Sequence, residues 1–186
     1  METIVFYLTL GFNHVTDWNG LDHFYFIVAL VLQFSYKDYW KLLWWVTLFT
    51  LGHSFSLVMS HYLELTFSSY WIELLIPLTI GISALPLVGQ FEPKTTQWAA
   101  LLTLVYGFIH GFGFGRYFGM IVDPEQAGLS LLSFAIGVEL AQLVIVVGVL
   151  GVNYFLSKKP DLLKIWQLSL GILILLMAGI MFFERI

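Results

Sequence analysis

From its first residue the chain reads as a series of long apolar runs, each closed by a few charged or turn-forming residues. A helix needs about 20 consecutive apolar residues to cross a bilayer core of about 30 Å. On that scale the runs predict seven helices, at about 3–14, 21–35, 39–61, 67–88, 97–114, 126–156 and 162–183. The first is too short to cross unless the bilayer thins, and the alternative is a half-helix packed inside the bundle. An outer-membrane barrel needs segments of about ten alternating residues, and these runs are longer and do not alternate. The expected fold is all-α: a polytopic transmembrane bundle of six to seven helices with a short first helix, residues 1–186 making one integral membrane domain.

Composition sharpens this picture. Of 186 residues, 59% are hydrophobic and only 11% charged, where soluble domains carry about a quarter charged residues. No stretch remains for a separate soluble domain. The absence of cysteine excludes disulfides, thiolate metal sites and cysteine nucleophiles, and a net charge of −4 gives no basic footprint for nucleic acid. No Walker A pattern supports ATP-driven work by this chain alone. Met1, Glu2 and Thr3 lack the cationic start of a secretory signal, so a mature N-terminus is expected.

Lysine and arginine set the expected orientation. Lys37, Lys41, Lys94, Lys158, Lys159 and Lys164 fall in or beside the connections after helices 2, 4 and 6, against Arg116 and Arg185 on the other side. By the positive-inside tendency, loops 36–40, 89–96 and 157–163 are cytoplasmic. The 1–2, 3–4 and 5–6 connections then face outward, and if helix 1 crosses, the N-terminus is inside.

A charge at mid-bilayer costs about 2.5–3.5 kcal/mol on insertion scales, so each intramembrane ionisable group calls for a partner or a task. The candidates are His14, Asp22, His23, His53, Glu73, His110 and Glu139. With this orientation His14 and the pair Asp22 and His23 sit at the outer side. At 1.5 Å per residue His53, Glu73 and His110 lie about 12, 9 and 6 Å below it, and Glu139 about 20 Å. All but Glu139 thus share the outer half of the membrane. Thr50, His53, Ser56 and Ser60 form a polar stripe at helical spacing. Pro77 removes the amide that would bond the Glu73 carbonyl, making a hard-oxygen site or a wet kink. Gly107, Gly111, Gly113 and Gly115 around His110 permit close approach or unwinding. Glu139 and Gln142 share a face one level below.

Plainer readings exist for each. A lone buried histidine is more often a hydrogen-bonded packing element; His61, at the interface, is assigned to that role. Glu73 can serve as interhelical glue and the glycine run as a tight interface. Trp40, Trp44, Trp45, Tyr70 and Trp71 fit interfacial belts, and Asp123 and Glu125 fit solvated loops. Coincidence of depth is what favours a shared site. Imidazole with carboxylate and no thiolate suits a divalent transition-metal ion such as Ni²⁺, Co²⁺ or Zn²⁺.

The runs Gly11-Phe12-Asn13-His14 to Leu21-Asp22-His23, Phe49-Thr50-Leu51-Gly52-His53-Ser54, Gly107-Phe108-Ile109-His110-Gly111-Phe112-Gly113-Phe114 and Gly137-Val138-Glu139-Leu140-Ala141-Gln142 together resemble the HupE/UreJ family of hydrogenase- and urease-associated membrane proteins. The resemblance implies a permease for nickel or a related metal in the bacterial inner membrane, with a nickel metalloenzyme maturation system as partner. By motif it places His14, Asp22, His23, His53, His110 and Glu139 in the functional set. The expected function is metal binding and transport, with Ni²⁺ favoured and Zn²⁺ or Co²⁺ as alternatives. His14, Asp22, His23, His53, His110 and Glu73 hold the ion, and Glu139 and Gln142 line its way inward. Acid should inhibit, because protonated histidine does not ligate. Three other readings stay open: an intramembrane zinc-dependent hydrolase with Glu73 or Asp22 as base, a metal-binding assembly scaffold without flux, and a b-type cytochrome with two axial histidines.

Overall fold

The computed structural model describes residues 1–18, 20–63, 67–91 and 97–186, and among them there are helices and no strands. The helices are α1 (Glu2–Thr16), α2 (Asp22–Val31), α3 (Tyr39–Tyr62), α4 (Ser69–Val88), α5 (Gln97–Ile121), α6 (Ala127–Leu156) and α7 (Pro160–Glu184), with single 3-10 turns before α3 and α6. Five of them, α3 to α7, are long and apolar enough to cross a membrane. Most of loop 89–96, including Lys94, lies outside the described residues.

The first two helices correct the expected path of the chain. Tyr7 of α1 donates its hydroxyl to the carbonyl of Ile121, at the end of α5 (2.9 Å), while His14 packs on Phe114, further back along α5. So α1 descends from the end of the bundle where α5 finishes. α2 continues in the same direction: His23 packs on His53 and His110, Phe26 on Tyr106, and Gln33 reaches the Ser83 carbonyl near the far end of α4 (2.9 Å). The two helices form one crossing broken at residues 17–21. The 1–2 connection is therefore an interruption inside the bundle and not an outward loop. With α3 to α7 this makes six crossings among the described residues, and Met1 and Arg185 share the end opposite Lys37, Lys41, Lys158 and Lys159, here termed the lysine end.

The break has local causes. Thr16 turns its hydroxyl onto the Phe12 carbonyl (3.0 Å), and Asp17 takes an extended backbone. Asp22 then starts α2 by accepting the His23 backbone amide (2.9 Å), a carboxylate at the positive end of a helix. α2 ends four residues before the expected boundary because side-chain amides take over its last carbonyls. Gln33 donates to Ala29 and Gln167 of α7 to Leu32 (3.0 and 2.8 Å), which meets the demand of helix ends away from water. From Phe26 to Leu32 every side chain is buried; α2 is apolar on all sides because the other helices enclose it.

Close backbone packing fixes the walls. A Cβ added at Gly11 would strike the Phe134 carbonyl of α6, and one at Gly137 the Leu8 carbonyl of α1. Between α3 and α5 the same holds for Gly52 against Leu104, Gly107 against Phe49, and Gly111 against His53 and Ser56. The glycines around His110 do not unwind their helix: α5 runs seven residues past the expected end, and Gly107, Gly111 and Gly115 form a small-residue stripe against α3. Gly11→Ala and Gly107→Ala should each lower stability by about 1–3 kcal/mol, read as an earlier thermal transition in detergent. Gly148→Ala and Gly179→Ala, where a Cβ meets nothing, should leave that transition in place.

Candidate metal centre

His14 ends α1, His23 begins α2, His53 lies in α3 and His110 in α5, and all four imidazoles meet where the first crossing is broken. His23 is central, with ring centroids 4.6 Å from His14, 5.2 Å from His53 and 5.1 Å from His110. His14 and His53 are 5.5 Å apart. His23, His53 and His110 are 2%, 0% and 1% exposed. Two groups bring ligand atoms within 4.8 Å of one another: His14, His23 and His53, and Asp22, His23 and His110.

Hydrogen bonds fix which nitrogens face inward. The Asp22 carboxylate lies 3.1 Å from His23 Nδ1; a carboxylate only accepts, so Nδ1 carries the proton and Nε2 keeps its lone pair. Thr79 of α4 spends its hydroxyl hydrogen on the Ile76 carbonyl (2.7 Å). Its oxygen therefore accepts from His110 Nε2 at 3.0 Å, which leaves the lone pair on Nδ1. His14 Nε2, His23 Nε2, both nitrogens of His53 and His110 Nδ1 are buried without a hydrogen-bond partner. Buried polar atoms are nearly always paired, so these lone-pair nitrogens, in two groups that share His23, are a candidate donor set for a cation. The negative end of α1 adds to that preference.

The centre lies deeper than expected. At about 1.5 Å per residue, His53 is about 14 Å from the Tyr62 end of α3, Thr79 about 15 Å from the Ser69 end of α4 and His110 about 17 Å from the Ile121 end of α5. It is therefore near mid-membrane, and His14, Asp22 and His23 join it there and not at the outer side. Aromatic rings cover it on both sides. Towards the Ile121 end Phe114 and Phe134 stack 5.1 Å apart, with His14 4.1 Å from Phe114. Towards the lysine end Phe26 stacks on Phe49 at 4.6 Å, and both approach His110. Beyond His14 a cavity of about 480 Å³ is lined by Asn13, Thr16, Asp17, Trp18, Phe114 and Tyr117, so the broken backbone borders open space, as irregular backbone at membrane depth requires.

Glu73 does not join the histidines. It is exposed, lining a separate cavity with Ser60 and Arg116, because the inward face of α4 is carried by Ile72, Ile76, Thr79 and Ile80. The carbonyl freed by Pro77 accepts from the Arg185 guanidinium at 2.9 Å, at an exposed position away from the histidines. Glu139 and Gln142 lie one turn from His53. Thr47 and Thr50 both donate to the Glu139 carboxylate, the first at 2.7 Å, and Thr50 also approaches Gln142 Oε1. Thr79, Thr47, Phe26 and Phe134 escaped the sequence reading, which gave Arg185 only for orientation and Phe49 and Phe114 only as motif residues. A polar residue on an otherwise apolar face was a usable signal for Thr79 alone.

No curated protein and no solved structure matches the chain. The family model described as HupE / UreJ protein matches residues 1–185. The motifs of that resemblance are the stretches that supply the four imidazoles, and the match spans practically the whole sequence: the chain belongs to the HupE/UreJ family, membrane proteins with a metal-related accessory or transport role.

Proposed function

We propose that this protein binds a divalent transition-metal ion, Ni²⁺ first, at the four-histidine centre and carries it across the bacterial inner membrane, with the lysine end in the cytoplasm. The observation that carries the reading is the set of buried, unpartnered imidazole nitrogens from four helices. Packing histidines of a structural core satisfy both ring nitrogens; these do not. Asp22 and Thr79 act through His23 and His110, holding each ring in the tautomer that offers its lone pair. One carboxylate with neutral imidazoles, and no sulfur, matches a borderline ion and not Cu⁺.

Depth favours transport over storage at a surface. The centre lies midway, at a discontinuous helix, the position at which transporters bind their cargo. Rings flank it on both sides, and His14 itself borders the cavity towards the Ile121 end, so release towards the lysine end is the step that needs a local opening. The cavity beside His14, with Asn13 and Asp17 in its wall, is the access from the Ile121 end. The lysines at the opposite end follow the positive-inside pattern.

Equilibrium dialysis of the purified protein with Ni²⁺ should show binding that is abolished by His53→Ala and by His110→Ala. Thr79→Val, which keeps the shape and removes the acceptor, should weaken binding by about 10- to 100-fold. His61→Ala should bind like wild type. Uptake of radiolabelled Ni²⁺ into cells should fall in the same order. Wild-type affinity in His53→Ala and His110→Ala would remove the proposed centre.

A further inference from the structure

One turn towards the lysine end from each of three histidines stands an aromatic residue: Phe26 after His23, Phe49 before His53 and Tyr106 before His110. Their rings form a layer, with Phe26 stacked on Phe49 at 4.6 Å and edge-on to Tyr106 at 5.8 Å. Directly beneath lies a cavity of about 750 Å³ between α2, α3, α4 and α5, whose wall includes Phe26 and Tyr106. Phe26 is 1% exposed, so its ring separates the imidazoles from this space.

Few polar groups interrupt the largely apolar cavity wall, chiefly Gln33, Ser83 and Thr103. Thr103 donates its hydroxyl to the Ala99 carbonyl and Ser83 to the Thr79 carbonyl, at 3.0 and 2.8 Å. Both amide hydrogens of Gln33 go to the carbonyls of Ala29 and Ser83. With those hydrogens spent, Gln33, Ser83 and Thr103 have only oxygen lone pairs left to offer a cation, in a wall that is otherwise mostly apolar and aromatic. Gln33, Pro86 and Phe91 also line a second cavity of about 280 Å³ that reaches Lys164, at the lysine end. The two spaces thus adjoin at Gln33, Pro86 and Phe91, between Phe26 and that end. On the α6 side, by contrast, Thr47 and Thr50 tie Glu139 across α3 and α6.

We propose that a divalent cation leaves the histidine centre by displacement of the Phe26 ring and passes down this cavity between α2, α3, α4 and α5, past Ser83, Thr103 and Gln33, and not past Glu139 and Gln142. This rests on the transport reading above. The chain has no cysteine, so single cysteines can be placed without background. Ser83→Cys, Thr103→Cys and Gln142→Cys, each in the full chain, are treated in everted membrane vesicles with a membrane-impermeant cationic methanethiosulfonate applied at the lysine end. Modification is followed by mass spectrometry. Ser83→Cys and Thr103→Cys should react, and their modification should block flux of radiolabelled Ni²⁺ while Ni²⁺ binding to the purified protein persists. Gln142→Cys should stay unmodified, or be modified without loss of flux. Phe26→Ala should release bound Ni²⁺ several-fold faster than wild type at unchanged stoichiometry; Phe26→Leu, which keeps the bulk, should show a smaller increase. Unreactive Ser83→Cys and Thr103→Cys, flux that survives their modification, or a block through Gln142→Cys would overturn this route. Failure of wild type to bind Ni²⁺ at all would instead overturn the transport reading.

Discussion

Inside a bilayer no water is available to complete a hydrogen bond, and each polar group must find its partner within the protein or border a space that holds one. Much of this structure follows from that constraint. Breaking the first crossing frees amides and carbonyls at mid-membrane, and side chains answer them: Thr16 and Asp22 at the break, Gln33 and Gln167 at the far end of α2. Arg185 does the same for the carbonyl that Pro77 frees. Against these satisfied groups, the unpartnered imidazole nitrogens of four histidines gathered in one region stand out, although single atoms of Ser54, Ser130, Gln142 and Asn153 are also buried without a partner.

The layering around them comes from helix periodicity. Because α3 and α5 each carry an aromatic residue one turn before their histidine, and α2 one turn after its own, antiparallel packing stacks rings beneath imidazoles without any further device. Glycine keeps the layers in register. Gly52, Gly107 and Gly111 bring α3 and α5 close enough for His53 and His110 to flank His23, while Gly11 and Gly137 do this for α1 and α6. The phenylalanines are both core packing and the walls of the centre, so stability and closure of the site share the same atoms.

The helical class and all seven helices were legible because twenty-residue apolar runs leave few alternatives. The four histidines and Asp22 were legible too, since ionisable groups inside such runs are costly. Their depth was not. Counting charges in connections treats each hydrophobic run as a full crossing, and the stretch from Asp17 to Leu21 looks like any outer loop until α1 is seen to descend beside α5. Glu73 misled for a related reason: a carboxylate within an apolar run reads as interior, yet its direction depends on which face of α4 meets the bundle, and the weak amphipathicity of a membrane helix hides that face. The reach of Arg185 across to α4 links positions 112 residues apart, a distance at which a single sequence holds no signal.

The brevity of α2 bears on how the molecule is assembled. Ten residues span about 15 Å, half the hydrocarbon thickness, and α1 is only half as long again. Each half is short for an independent membrane segment, and Gln167, which donates to the Leu32 carbonyl, and Ser83, whose carbonyl accepts from Gln33, belong to helices encoded far downstream. The broken pair thus depends on its neighbours, and this crossing is fully partnered only with α4 and α7 in place. Two of the four imidazoles sit on that pair and the other two pack against it, so the centre is complete only where the broken pair has joined α3 and α5.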